Sequence, residues 1–194
     1  MALTPSTMLP LGTPLPWSLM EEALTPVVGG PLPAAAARAG QPVLVLFICP
    51  HCPFVKHIEP ELTRLQHDFG DAVAFLAIRS NSLITHPQDG PAEMADQATS
   101  NGWGFPYLAD DRQVVARAFQ AACTPDLYLF AGGHQLVYRG QLDGSRPGHA
   151  TPLDGRDLRA ALAAVLAGQE PPPEQVPSIG CNIKWHPGQQ PAWA

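Results

Sequence analysis

The longest unbroken apolar run in the chain is Val43-Leu-Val-Leu-Phe-Ile48, with a proline in front of it and a cysteine behind. A short continuous run of this kind predicts a strand buried on both faces of a parallel sheet. From Pro53 onward the period changes. Val55, Ile58, Leu62 and Leu65 recur at spacings of three and four, with Lys56, Glu59, Glu61 and Arg64 between them, which predicts an amphipathic helix. Pro60 falls inside that pattern and predicts a kink or a split. Val73-Ala-Phe-Leu-Ala-Ile78 is a second buried strand, so residues 43–78 read as one β-α-β unit with parallel strands and a right-handed crossover.

Residues 80–90 carry turn chemistry and no period, and Pro91 then stands where a first helical turn tolerates proline, opening a helix that runs to about Gly102. Residues 113–120 predict another short helix. Leu127-Tyr-Leu-Phe130 and Gln135-Leu-Val-Tyr-Arg139 flank Gly132-Gly133 and predict an antiparallel hairpin turning on the two glycines. Asp154 is placed to cap a last helix with Leu158, Leu162, Val165 and Leu166 on one face and Gly168 as its stop. The order describes an α/β fold whose central mixed sheet starts parallel, ends antiparallel and has helices on both faces.

At 194 residues the chain has room for one domain. Charged residues make up 14% against a usual quarter, and hydrophobic residues 45%, which excludes disorder from excess charge. The net charge is −6 and the eleven basic residues are scattered, so no basic face is expected for nucleic acid or anionic lipid. The apolar run falls far short of the ~18–20 residues that span a bilayer, and the first basic side chain, Arg38, comes too late for a signal-peptide n-region. A cytoplasmic protein without a membrane partner is expected. The 23 prolines concentrate between Pro5 and Pro33 and between Pro171 and Pro191, which marks both ends as irregular. The expected organisation is a Pro-rich extension over 1–39 packing on the domain, the domain itself over 40–168, and a Pro-rich tail over 169–194.

Chemistry concentrates at Cys49-Pro-His-Cys52, where the first buried strand ends and the helix begins. Unpaired N–H groups and the positive end of the helix dipole favour a thiolate there, and a protonated His51 would favour it further. Two cysteines at this spacing can close a disulfide, with Cys49 attacking and Cys52 resolving. The same pair is also half a zinc site, but zinc needs four ligands and no second C-x-x-C or H-x-x-x-H follows, so Cys123 and Cys181 would have to supply the rest. No metal is expected at the pair. No G-x-G-x-x-G after a strand and no phosphate loop occurs, so no organic cofactor is expected either.

The order strand, C-x-x-C, helix, strand, helix, then Thr124-Pro125 before a hairpin and a last helix resembles the thioredoxin fold over about residues 40–168. The run Phe47-Ile-Cys-Pro-His-Cys-Pro-Phe-Val-Lys-His-Ile-Glu-Pro60 resembles a thioredoxin-like family of AhpC/TSA redoxins. So do Phe105-Pro-Tyr-Leu108, Cys123-Thr-Pro-Asp126, Val137-Tyr-Arg-Gly-Gln-Leu-Asp143 and Pro177-Ser-Ile-Gly-Cys-Asn-Ile-Lys-Trp185. The resemblance implies a thiol–disulfide oxidoreductase acting on a protein or low-molecular-weight thiol or disulfide, with a thioredoxin- or glutathione-type reductant. It further implies that Pro125 is a cis-proline facing the cysteines and that Thr124 offers its backbone to a bound cysteine-containing peptide. The Pro50-His51 dipeptide equals that of the oxidant DsbA, which implies a potential more oxidising than that of thioredoxin.

Two alternatives stand beside this reading. A peroxiredoxin-like thiol peroxidase would carry P-x-x-x-T-x-x-C, and neither register fits: with Cys49, Leu46 replaces the threonine, and with Cys52, Val45 replaces the proline and Cys49 the threonine. The other is a copper- or zinc-binding module using Cys49, Cys52 and a histidine. Cys123 reads as a small core residue or, near the active cysteines, an additional thiol, and Cys181 as part of a tail packing over the domain or as an additional resolving thiol. His57 reads as exposed or capping, Phe54 and Trp103 as groove walls or core, and 143–148 as a turn-rich loop without assigned chemistry.

Overall fold

The structure is a computed structural model that describes residues 3–33 and 40–193. Its elements in chain order are β1 (Leu3–Pro5), α1 (Trp17–Ala23), β2 (Thr25–Val28), β3 (Val43–Phe47), α2 (Pro53–Phe69), β4 (Ala74–Arg79), α3 (Pro91–Asn101), β5 (Tyr107–Ala109), α4 (Val114–Ala118), β6 (Cys123–Thr124), β7 (Asp126–Phe130), β8 (Leu136–Gly140), α5 (Arg156–Leu166) and β9 (Ile179–Asn182). A six-stranded sheet runs β2-β5-β4-β3-β7-β8. β3 is parallel to β4 and antiparallel to β7, β4 is parallel to β5, and β7–β8 is the expected hairpin.

Alternation along β3 divides the core between the two faces. Leu44, Leu46 and Ile48 pack with Val55, Ile58, Leu62 and Leu65 of α2 and Leu158 and Leu162 of α5. Val43, Val45 and Phe47 pack on the other face with Trp17 and Met20 of α1, Val115 and Ala116 of α4, and Phe119. Pro60 does not split α2, which is continuous through it. Proline cannot donate to the Lys56 carbonyl, and because both residues lie on the exposed side, water can donate in place of the missing N–H.

The hairpin turns on Gly132 and Gly133 as expected, the His134 N–H donating to the Ala131 carbonyl at 2.7 Å with His134 itself at φ 57°; Gly132 is needed because a Cβ there would stand 2.5 Å from the Gly40 carbonyl oxygen. The cap position of α5 is Gly155, not Asp154, although the Asp154 carboxylate does accept the Arg156 N–H at 3.2 Å. Asp143, from the loop without assigned chemistry, holds this helix start by accepting the N–H groups of Asp154 and Gly155 at 2.9 and 2.6 Å.

The ends read as irregular carry structure. β2 adds an antiparallel edge strand beside β5, and β1, β9 and β6 form a second, three-stranded sheet with β9 in the centre. The expected junction at 39/40 abuts residues 34–39, which lie outside the described residues. Among the described residues no helix is long and apolar enough to cross a membrane.

Candidate active site

Cys49-Pro-His-Cys52 bridges the end of β3 and the start of α2, as the change of period predicts. Cys52 is the N-cap of α2, with Pro53 directly after it in the first turn, where a missing N–H costs nothing. The Cys49 sulfur lies 3.8 Å from His51 Nδ1 and 3.6 Å from Thr124 Oγ1. The Cys52 thiol donates to the Thr124 carbonyl at 3.2 Å. The Thr124–Pro125 bond is cis, so the residue before the proline meets both sulfurs. All four cysteines are buried thiols.

Electrostatically the two sulfurs behave as one unit. The hydrogen bond between them favours the anion on one and the proton on the other: it brings the Cys52 thiol down to about 5 and pushes Cys49 well up. The Val55 N–H at the head of α2 also supports the Cys52 anion, whereas burial and the Asp89 charge act against an anion on Cys49. The two sulfurs thus hold one proton and one thiolate between them, with the head of α2 beside Cys52 and a carboxylate facing Cys49.

That carboxylate is the participant sequence reasoning missed. Asp89, fully buried in the 3₁₀ turn Pro87–Asp89, lies 2.6 and 2.7 Å from His51 Nδ1 through its two oxygens, and it accepts the His51 backbone N–H at 3.1 Å. The Asn81 amide donates to it at 2.8 Å. Burial pushes the Asp89 carboxyl up, but the bonds from His51 and Asn81 outweigh this and hold it below its ordinary range. His51 is stacked on His86, with ring centroids 5.1 Å apart. The nitrogen of His51 that faces Cys49 is thus the one held by Asp89, and the help expected from a protonated His51 is offset by the anion behind it.

Cys123 donates to the Pro125 carbonyl at 3.5 Å and is buried, and burial pushes its thiol well up. Cys181 sits on β9 directly opposite Thr124, its thiol hydrogen-bonded with that of Cys52; burial first and then that bond push it up to about 12. The Thr124 backbone expected to receive a peptide is therefore occupied by the chain's own tail. His57 bonds Ser145 Oγ at 3.0 Å. Trp103 is core, stacked on Phe105, and Phe54 lines a shallow groove with Pro125, Leu142, Ser178 and Ile179. Among the described residues, Cys49, His51 and Asp89 form a group that could hold a metal ion, with donor atoms within 4.8 Å of one another. Such an ion would find three donors, and His51 Nδ1 would have to leave Asp89 to serve it.

The AhpC/TSA family pattern matches residues 23–141. An uncharacterized conserved protein of Geobacillus kaustophilus is 45% identical in sequence, with a TM-score of 0.89 over 97% of this chain and 98% of that one. A hypothetical protein of Sinorhizobium meliloti 1021 is 41% identical, with a TM-score of 0.85 over 95% of this chain and all of that one. A thioredoxin-like protein in its oxidized form shares the fold at a TM-score of 0.64 and 21% identity, over 84% of this chain and all of that one. No curated protein matches.

Proposed function

Since the chain belongs to the AhpC/TSA family and has a thioredoxin-like fold, we propose that its C-x-x-C pair is the centre of a thiol–disulfide oxidoreductase. The observation that carries this reading is the meeting of both sulfurs on Thr124 at the start of α2, Cys49 3.6 Å from its Oγ1 and Cys52 donating to its carbonyl at 3.2 Å, beside the cis-Pro125 peptide. One proton shared by two sulfurs makes a thiolate available at neutral pH. Cys49, next to the partly open His51, attacks a partner disulfide; one partner sulfur leaves with the electron pair, and a mixed disulfide forms on Cys49. Cys52 then attacks the Cys49 sulfur, releases the second partner thiol and closes Cys49–Cys52. In the opposite direction the disulfide is passed to a substrate dithiol. A thioredoxin- or glutathione-type reductant in the cytoplasm would return the pair to the dithiol.

Titration in glutathione buffers, with alkylation and peptide mapping of every cysteine, tests this. Joint, reversible conversion of Cys49 and Cys52 between about −270 and −120 mV is expected. A pair that never closes, or copurifying stoichiometric metal on Cys49, would defeat the reading. One observation favours a second reading: Thr124 Oγ1, 3.6 Å from the Cys49 sulfur, supplies from β6 the hydroxyl that the peroxidatic motif lacks in sequence. Rapid consumption of hydrogen peroxide by the reduced protein would put that reading first.

A further inference from the structure

β9 lies antiparallel to β6 with Thr124 opposite Cys181 and Cys123 opposite Asn182. Directly opposed residues of an antiparallel pair carry their side chains on one face. The Thr124 hydroxyl reaches the Cys49 sulfur, so Cys181 faces the same cluster, and its thiol is hydrogen-bonded with the Cys52 thiol.

The register that achieves this is pinned on both sides. Gly180 crosses so close to β6 that a Cβ there would stand 2.0 Å from the Thr124 carbonyl oxygen. Beyond it, the Ile183 N–H donates to the Ala122 carbonyl at 2.9 Å and the Lys184 N–H to Asn81 Oδ1 at 2.8 Å. Asn81 is also the residue whose amide holds Asp89, so the tail and the dithiol site share a support. Packing alone asks only that residue 181 be small and apolar. A fixed strand register that brings one sulfur against another is what disulfide exchange asks.

We propose that Cys181 is a third redox thiol, which takes the disulfide over from the C-x-x-C pair. The proposal rests on the thiol–disulfide exchange reading given above. Once Cys49–Cys52 has formed at the expense of a partner disulfide, the Cys181 sulfur attacks Cys52. The Cys52–Cys181 bond forms, the Cys49–Cys52 bond breaks, and its electron pair stays on Cys49, which takes up the proton that Cys181 gives up. No outside oxidant is needed, because the step isomerises a disulfide already present. Cys49 is returned as a thiol while the chain still holds the two-electron oxidation on Cys52–Cys181.

Tryptic cleavage separates the partners: Cys49 and Cys52 share the peptide 39–56, Cys123 lies in 118–139 and Cys181 in 160–184. The unsubstituted chain, Cys49→Ser and Cys181→Ser are each oxidised with diamide, blocked with N-ethylmaleimide in acidified guanidinium and digested without reduction. The expected result is a 39–56/160–184 cross-link as the main disulfide of Cys49→Ser. The same cross-link, with Cys49 blocked, is expected in the oxidised unsubstituted chain, and Cys181→Ser should retain only Cys49–Cys52. If Cys181 is fully blocked in the oxidised unsubstituted chain and in Cys49→Ser while Cys49–Cys52 still forms, the third thiol is overturned and the exchange reading stands. If no Cys49–Cys52 disulfide forms in Cys181→Ser either, both readings are overturned. The digest of the unsubstituted chain decides the matter even if a serine variant fails to fold.

Discussion

His51 Nδ1 has two neighbours, the Asp89 carboxylate that holds it at 2.6 Å and the Cys49 sulfur 3.8 Å away. The carboxylate acts against an anion on Cys49 and the imidazole is a hydrogen-bond partner of that carboxylate, so their removal should give opposite results. Asp89→Asn takes away a charge that pushes Cys49 up and should move the thiolate titration, followed by ultraviolet absorbance, down by about one pH unit. His51→Ala leaves that buried charge with one fewer donor, moves the titration up and makes the couple more reducing. Equal shifts of one sign would show that the site does not work this way. The cysteines and His51 were readable because they are consecutive and sit at a change of period. Asp89 was not, since one acid in the turn-rich stretch 80–90 gives no local sign that it will meet a residue 38 positions earlier.

β3, α2 and β4 follow from patterns that each strand or helix carries within itself. β1, β6 and β9 are two to four residues long and exist only by pairing across the chain. β9 did leave a trace, for Ile179, Cys181, Ile183 and Trp185 alternate with Gly, Asn and Lys, a period of two hidden in the Pro-rich tail. Its close crossing at Gly180 gives a direct handle. Gly180→Ala should push β9 off β6 and raise the rate at which a bulky maleimide reacts with Cys49 and Cys52 at least tenfold, equivalent to about 1.4 kcal/mol of docking. The six-stranded sheet does not contain β9 and should keep its circular dichroism. An unchanged maleimide rate would show that β9 does not cover the sulfurs.

Stability of the whole molecule should depend on pH through carboxyls that work in opposite senses, Asp126 and Asp89 among them. Asp126, fully buried on β7 and accepting the Tyr128 hydroxyl at 2.8 Å, is pushed by burial from the ordinary 3.8 up to about 7. The folded chain binds that proton more tightly than the unfolded one, so the contribution is complete below 3.8 and is lost as pH rises to about 7. Asp89, held low in the fold, contributes above the ordinary carboxylate value and loses its share as pH falls through its folded value. Asp126→Asn should therefore flatten the decline on the upper side, a difference on the order of a few kcal/mol between mildly acid and mildly alkaline urea titrations. A decline as steep as that of the unsubstituted chain would place the titration elsewhere.

Cys49 is 1% exposed and Cys52 is not exposed at all. A disulfide must approach the attacking sulfur in line, so the closed form cannot react with one carried by another folded protein. If the pair exchanges disulfides as proposed, the second-order rate constant will be the intrinsic exchange constant multiplied by the fraction of molecules that stand open at any moment. A compact oxidant needs a smaller opening than a protein does, so partners are sorted by size before any sulfur is touched. In such an exchanger the same closure would spare the dithiol from stepwise conversion to sulfinic and sulfonic acids during the intervals between partners.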